Sequence, residues 1–93
     1  MSNTTAIFRR AAYMAEGKYR LTYLLRIREQ CEGWFAVSIC VSSNWFDTAY
    51  SHPVENAKRE EWIIVPEEQF NVETIYALLE MMSKEYFRVK DRH

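Results

Sequence analysis

The sequence predicts a small α+β domain in which an antiparallel sheet of three to four strands, arranged as a meander, has one face covered by a C-terminal helix. Residues 19–28 and 34–42 alternate apolar side chains with polar or small ones, a pattern typical of strands that bury one face. Residues 72–88 place apolar side chains at helical spacing instead. These three segments define the predicted fold class.

The length and composition indicate a single globular domain over residues 1–93. The chain has 93 residues, of which 48% are hydrophobic and 27% charged. We expect residues 1–5 to be flexible and residues 89–93 to be frayed. With 2 glycines and 2 prolines, the chain cannot contain a glycine-rich cofactor loop or a collagen-like repeat. A net charge of −1 offers no whole-chain argument for binding nucleic acid or an anionic membrane.

The N-terminal residues and the cysteines predict a cytoplasmic protein. Arg9 and Arg10 interrupt the first apolar stretch, so it is too short for a signal peptide. No window of the sequence approaches the length of an apolar membrane span, and we expect no membrane association. Two cysteines, Cys31 and Cys40, are fewer than a small disulfide-stapled secreted domain usually carries. We expect both to be free thiols, with Cys40 in the core.

The N-terminal half of the predicted sheet is a hairpin. Residues 6–15 are expected to be extended and to pair with residues 19–28 through a two-residue turn at Glu16 and Gly17. This register collects the apolar side chains of both strands on one face. Arg10 is the exception, because it falls on the apolar side. The opposite, basic face of the hairpin contains Arg9, Tyr13, Lys18, Arg20, Arg26 and Arg28.

The third strand, residues 34–42, follows a loop at residues 30–33. Its alternation predicts one face of large apolar side chains and an opposite face of small side chains. The large side chains are Phe35, Val37, Ile39 and Val41, and the small ones are Ala36, Ser38 and Cys40.

The helix at 72–88 has Asn71 as its expected N-cap and an acidic residue, Glu73, in its first turn. We expect this helix to cover the large apolar face.

The segment between residues 44 and 70 is less regular. Residues 61–65 are apolar except for Glu61, include β-branched side chains and are followed by Pro66, which predicts a fourth strand. A helix over residues 56–65 is the alternative. Among the aromatic residues of this segment, we expect Trp62 and Phe70 to complete the core.

No constellation in the sequence predicts catalysis, a metal or a cofactor. The residues able to ligate zinc lack its paired spacing; they are Cys31, Cys40, His52 and His93. Cys31 or Cys40 combined with His52 is a formal nucleophile–base pair, but any protein that contains both residue types offers such a pair. We therefore do not expect an enzyme, and a small enzyme with a Cys or His site is kept as an alternative.

Charge is unevenly distributed along the chain. Residues 1–28 contain six basic residues against Glu16, whereas residues 29–73 contain nine acidic residues against Lys58 and Arg59. The basic face of the hairpin could follow a phosphate backbone, with Tyr13 stacking on a base. A nucleic-acid-binding domain that uses this face is therefore one alternative. The alternative without a binding role is that these residues form a solvent-exposed sheet face, which their charges keep soluble.

The acidic segment also carries aromatic side chains, a combination that protein interfaces use as rim and anchor. We therefore predict a protein-binding module with an acidic surface that docks on a larger protein. The expected contact residues are Trp45, Phe46, Asp47, Tyr50, Glu60, Glu61, Glu67 and Glu68. Its size and charge suggest a phage or mobile-element inhibitor that occludes a basic surface of a nuclease or another nucleic-acid-processing partner. A homodimer through the sheet edge or the aromatic segment is also expected to be feasible.

Overall fold

The computed structural model describes residues 3–43 and 59–90. They form one three-stranded antiparallel sheet with two helices packed on the same face. The elements are α1 (Thr4–Tyr19), β1 (Leu21–Cys31), β2 (Trp34–Ser43), β3 (Arg59–Pro66), a short 3₁₀ turn (Glu67–Gln69) and α2 (Val72–Lys90). The strand order is β1-β2-β3. The predicted α+β class, the meander and the C-terminal helix are confirmed.

The strand expected over residues 6–15 is wrong, because this segment belongs to α1. Its buried residues Phe8, Ala11, Ala12 and Ala15 recur every three to four positions, which is a helical period. Alanine is also the strongest helix former, and its small side chain lets α1 pack closely on α2. On this helix Arg10 is exposed, so the exception left by the strand interpretation disappears.

The hairpin turn expected at Glu16 and Gly17 is also wrong, because both residues lie inside α1. The chain turns at Arg20 instead. This residue caps α1 in the left-handed conformation, with φ 58° and ψ 41°, and its N–H donates to the Glu16 carbonyl at 2.9 Å. β1 begins at the next residue, Leu21. A helix-to-strand turn therefore takes the place of the predicted strand-to-strand turn.

The inner face of the sheet, which the helices cover, follows the predicted alternation of β2. Phe35, Val37, Ile39 and Val41 are all buried in the main core. In β1, Leu21 and Tyr23 are buried on the same face, whereas Ile27 near the far end is exposed. The β1–β2 turn contains Gly33 at φ +87°, a conformation that glycine adopts without steric cost.

α2 confirms the predicted C-terminal helix and its cap. The Asn71 side-chain oxygen accepts a hydrogen bond from the Thr74 N–H at 2.9 Å. The side chains of α2 that face the core are Ile75, Leu79, Met82, Ser83 and Tyr86. Neither of the two described helices combines the length and apolarity needed to cross a bilayer.

One buried polar contact joins α2 to the sheet. The Ser83 hydroxyl donates to the Leu79 carbonyl at 2.7 Å and accepts a hydrogen bond from the Tyr23 hydroxyl. Burial raises the pKa of Tyr23 to about 12. The pair satisfies two hydroxyls that would otherwise lose their hydrogen bonds to water inside an apolar core.

The strand expected at residues 61–65 is confirmed as part of β3, and the alternative helix is not formed. Phe70 is buried as expected, with its ring centroid 5.4 Å from that of Phe35. The expectation that Trp62 completes the core is wrong, because its side chain is 63% exposed. The β2–β3 register pairs Trp62 with Ser38, which points away from the helices. Cys40 is half-buried on the same side and lies outside the main core.

Candidate functional site

The outer face of the sheet is the one that points away from α1 and α2. Strand alternation and the pairing registers place these residues on it: Leu24, Arg26, Ala36, Ser38, Cys40, Glu60, Trp62 and Ile64. Arg28 joins them from a β-bulge between Ile27 and Glu29. In the described part of the chain, no helix packs on this face.

The centre of the outer face is formed by the small side chains of β2. Ser38 is only 1% exposed although no helix lies above it. Its hydroxyl donates to Glu60 Oε1 on β3 at 2.8 Å. Longer side chains from the two flanking strands therefore close over β2, and the outer face is a shallow trough with higher walls on β1 and β3.

Arg28 and Trp62 link these two walls across β2. The Arg28 guanidinium carbon lies 4.9 Å from the centroid of the Trp62 ring, a cation–π distance. Arg28 Nη2 also lies 3.4 Å from Glu60 Oε1. The ion pair with Glu60 restrains the Arg28 side chain, and the guanidinium in turn lies against the Trp62 ring, most of which remains exposed.

The electrostatics of the outer face are divided by strand. β1 contributes Arg26, Arg28 and, opposite Ala36, Glu29, whereas β3 contributes Glu60. The hydrogen bond from Ser38 lowers the pKa of Glu60, and the positive charges of Arg28 and Arg26 lower it further. On this face the net charge of β1 is therefore positive, and that of β3 is negative.

Three large apolar side chains remain exposed on the outer face: Leu24 at 55%, Trp62 at 63% and Ile64 at 61%. They surround the small residues of β2 and adjoin the charged groups. Apolar and aromatic side chains bordered by charged groups are typical of protein interfaces. Tryptophan and arginine are also the residue types most often found at interface hot spots.

The residues expected to bind a protein partner are dispersed. Glu60 lies on the outer face, but Glu61 points to the helix side and lines a groove beside α2. Glu67 and Glu68 are exposed in the 3₁₀ turn that follows β3. The structure does not bring the four glutamates onto one surface. Trp45, Phe46, Asp47 and Tyr50 lie outside the described residues.

The residues expected to form a basic sheet face are also separated, because residues 6–15 are helical. Arg26 and Arg28 lie on the outer face of β1, whereas Arg9 and Tyr13 are exposed on α1 and line a groove with Leu24. Lys18 is near the C-terminal end of α1, and Arg20 forms the turn into β1. A single basic surface composed of all six residues therefore does not form.

Lys18 takes part in a contact between the two helices. Its Nζ lies 2.9 Å from Glu80 Oε2 on α2, and the Tyr19 hydroxyl donates to the same oxygen at 2.5 Å. These hydrogen bonds raise the pKa of Lys18 and lower the pKa of Glu80. Through this cluster of Lys18, Tyr19 and Glu80, Lys18 joins α1 to α2 and has a structural role.

The residues considered for a small enzyme are not assembled in the described part of the chain. Cys31 is an exposed free thiol at the end of β1, and Cys40 is a half-buried free thiol on the outer face. His52 and His93 lie outside the described residues.

Sequence reasoning missed Leu24, Trp62 and Ile64 as exposed apolar residues. Alternation within β3 contained a signal, since Glu60, Trp62 and Ile64 share one side of a strand. The side that faces solvent could be assigned only after the register with β2 was known.

Comparison of the chain with models of protein families, with curated proteins and with solved structures gave no significant match.

Proposed function

We propose that this protein is a non-catalytic protein-binding module that docks on a larger protein through the outer face of its sheet. The observation that carries the proposal is the exposed apolar group of Leu24, Trp62 and Ile64, bordered by Arg28 and Glu60. The helices bury the opposite side of the sheet. The outer face is therefore available for binding without loss of the core.

The contacts of Trp62 support a role as an anchor. Binding costs conformational entropy when side chains become fixed, and this cost falls when a side chain is already ordered. Arg28 stacks on the Trp62 ring and forms an ion pair with Glu60, so the ring is restrained before any partner arrives. The paired strands provide a more rigid base than a loop would.

The finer hypothesis is that the partner is a nuclease or another nucleic-acid-processing protein and that the module inhibits it by covering a basic surface. Glu67 and Glu68 support this hypothesis, because they are exposed and adjacent to one end of β3. They would form the charged rim of the contact rather than a continuous acidic array. Glu67→Lys combined with Glu68→Lys should then slow association and reduce its dependence on salt.

A nucleic-acid-binding function is the second candidate, and one observation favours it. Trp62 is exposed beside Arg28 and near Arg26, and an exposed ring next to cations is also how single-stranded nucleic acids are stacked and held. A gel-shift titration with single-stranded DNA and RNA at low salt separates the two candidates. Protein docking predicts no shift, because even a non-specific nucleic-acid binder shows affinity at low salt.

The decisive experiment compares two exposed aromatic residues on different surfaces. Trp62→Ala removes the proposed anchor, and Phe87→Ala removes a 36% exposed ring on α2 as the control. A partner captured by the wild-type chain is identified, purified and titrated against both variants. We expect Trp62→Ala to weaken binding by about 30-fold or more, the range of a hot-spot tryptophan, and Phe87→Ala to leave it unchanged. The reverse result would overturn the proposal.

A further inference from the structure

Among the described strands, β3 lies at an edge of the sheet and has one unpaired side. The β2–β3 register runs without interruption from Arg59 to Pro66, and no other strand in the described ranges pairs with β3. Such an edge presents a row of N–H and C=O groups that can extend the sheet by pairing with another strand. Natural proteins usually protect an edge of this length.

The other edge of the sheet, β1, carries two such protections. Its ladder is interrupted by the bulge between Ile27 and Glu29. α1 also lies alongside it, because Phe8 and Ala12 of α1 line the same groove as Leu24 of β1. The ladder of β3 is uninterrupted. Within the described residues, no helix runs along the unpaired edge of β3 in the way that α1 runs along the edge of β1.

Apolar side chains border the β3 edge on both faces of the sheet. On the outer face these are Trp62 and Ile64. On the helix side, a groove of about 560 Å³ lies between β3 and α2. Its apolar lining includes Ile63 and Met81, and Met81 is 67% exposed. An added strand at this edge would therefore bury apolar surface above and below itself.

We propose that β3 pairs with β3 of a second copy of the chain, antiparallel about a two-fold axis, to form a continuous six-stranded sheet. The charges of the groove favour a second copy as the occupant. Two acidic and two basic side chains line it, so identical grooves meet without net repulsion; they are Glu61, Lys84, Glu85 and Arg88.

Two registers pair seven of the eight β3 residues without placing an acidic residue opposite another acidic residue. A register centred on Trp62 places two tryptophans opposite each other on the outer face. A register centred on Ile63 places Trp62 opposite Ile64, an aromatic–β-branched pair that stabilises antiparallel strands. Registers centred on Glu60 or Glu61 place like charges opposite each other and are disfavoured.

The area at this edge is sufficient for a weak dimer. An eight-residue strand is about 26 Å long, and the molecule is about 20 Å deep, so each copy would bury roughly 500 Å². The total of about 1,000 Å² is at the lower limit for a specific interface. We therefore expect a dissociation constant on the order of micromolar. The dimer edge and the proposed partner surface share Trp62 and Ile64, but Leu24 on the far strand belongs only to the partner surface and Met81 only to the dimer edge, so the two proposals can be tested separately.

Sedimentation equilibrium of the full chain over a range of about 1 to 200 µM tests the inference. We expect a mass that rises from 11.2 kDa to twice that value. Met81→Lys, on the groove side of the edge, should weaken the dimer by at least tenfold, and Ile64→Lys, on the outer side, should do the same. Both side chains are exposed, so at concentrations well below the dissociation constant, where the wild type is monomeric, the circular dichroism melt of each variant should match that of the wild type.

Leu24→Lys is the matched control, because this equally exposed residue lies on β1. It should leave the dimer intact and impair only the docking of the larger partner. Met81→Lys should do the opposite, so the two proposals fail separately. As a second measurement, hydrogen exchange of β3 amides should slow with rising concentration while exchange of β1 amides does not.

Three results would overturn the inference. One is a wild-type chain that stays monomeric throughout the concentration range, including the case in which the groove binds an extended peptide of another protein. The second is dissociation by Leu24→Lys, which would indicate that the outer faces stack on each other. The third is a dimer that Met81→Lys and Ile64→Lys leave unchanged.

Discussion

The two faces of β2 exclude water by different means. On the inner face, Phe35, Val37 and Ile39 are buried beneath two helices. On the outer face, Ala36 and Ser38 are also buried, although in the described part of the chain no second layer lies above them. There, short side chains are shielded by longer ones from the neighbouring strands.

The difference separates stability from binding. Close packing makes the inner face sensitive to changes in side-chain volume, since any void there cannot be filled by solvent. On the outer face, the large side chains lie on the strands that flank β2, and two of them, Trp62 and Ile64, remain exposed. Residues that the core does not need are free to serve as contacts for other molecules.

The largest expected effect on stability is at the centre of the inner face. Ile39→Ala should lower the free energy of unfolding by about 2–5 kcal/mol, because it leaves a cavity in a fully buried site. Trp62→Ala removes a larger side chain from the outer face and should cost less than about 1 kcal/mol. Urea denaturation of both variants measures the contrast. Equal losses would show that the outer face belongs to the core.

The next effect tests α1 as part of the cover over the inner face. Ala15 is fully buried, so Ala15→Leu should destabilise the fold by about 1–3 kcal/mol through overpacking. Ala6→Leu places the same side chain on the exposed side of α1 and should be nearly neutral. Thermal unfolding of the two variants checks the helix. A neutral Ala15→Leu would contradict the packing of α1.

The buried hydroxyl pair of the inner face has a smaller effect with a defined pH dependence. Tyr23→Phe should cost about 1 kcal/mol, since it removes the hydrogen bond to Ser83. Because the pKa of Tyr23 is raised from its ordinary value near 10 to about 12, the wild-type stability contributed by the neutral hydroxyl should be fully present below pH 10 and decline as pH rises through 12. Urea midpoints measured between pH 8 and pH 12 should show this decline in the wild type and a smaller one in Tyr23→Phe.

The smallest expected effect is the polar contact of the outer face. Ser38→Ala removes the hydrogen bond that most lowers the pKa of Glu60, so this pKa should rise towards the ordinary value for glutamate. The associated stability is present above that ordinary value and is lost as pH falls through the lowered one. Carboxyl NMR titration of Glu60 in Ser38→Ala measures the shift, with Ser42→Ala as the control. An unchanged pKa would show that Arg28 and Arg26 set it instead.

Local patterns in the sequence were sufficient for several elements. β2 was predictable because its alternation is strict, and α2 because a capping asparagine precedes a helical apolar period. α1 was not, since its alanine-rich stretch is compatible with both an amphipathic helix and a half-buried strand. The left-handed turn at Arg20 carries no glycine or proline that would have marked it.

The candidate site was less predictable than the fold. Glu60 and Arg28 were each identified as surface charges, but they were assigned to different hypothetical surfaces. Their contact depends on a bulge in β1 and on the register between β2 and β3, which together bring into contact two residues that are 32 positions apart in the chain. Trp62 was placed in the core because a large aromatic ring near apolar neighbours is usually buried.

The sequence by itself determined the α+β class, the two faces of β2 and the helix that covers one of them, because each follows from a period within a single segment. Tertiary structure decided that residues 4–19 are helical, that the charged walls of the outer face lie on opposite edges, and that Trp62 faces solvent. These features depend on which distant strands pair and in which register. Interactions between segments, rather than local propensity, select among such arrangements.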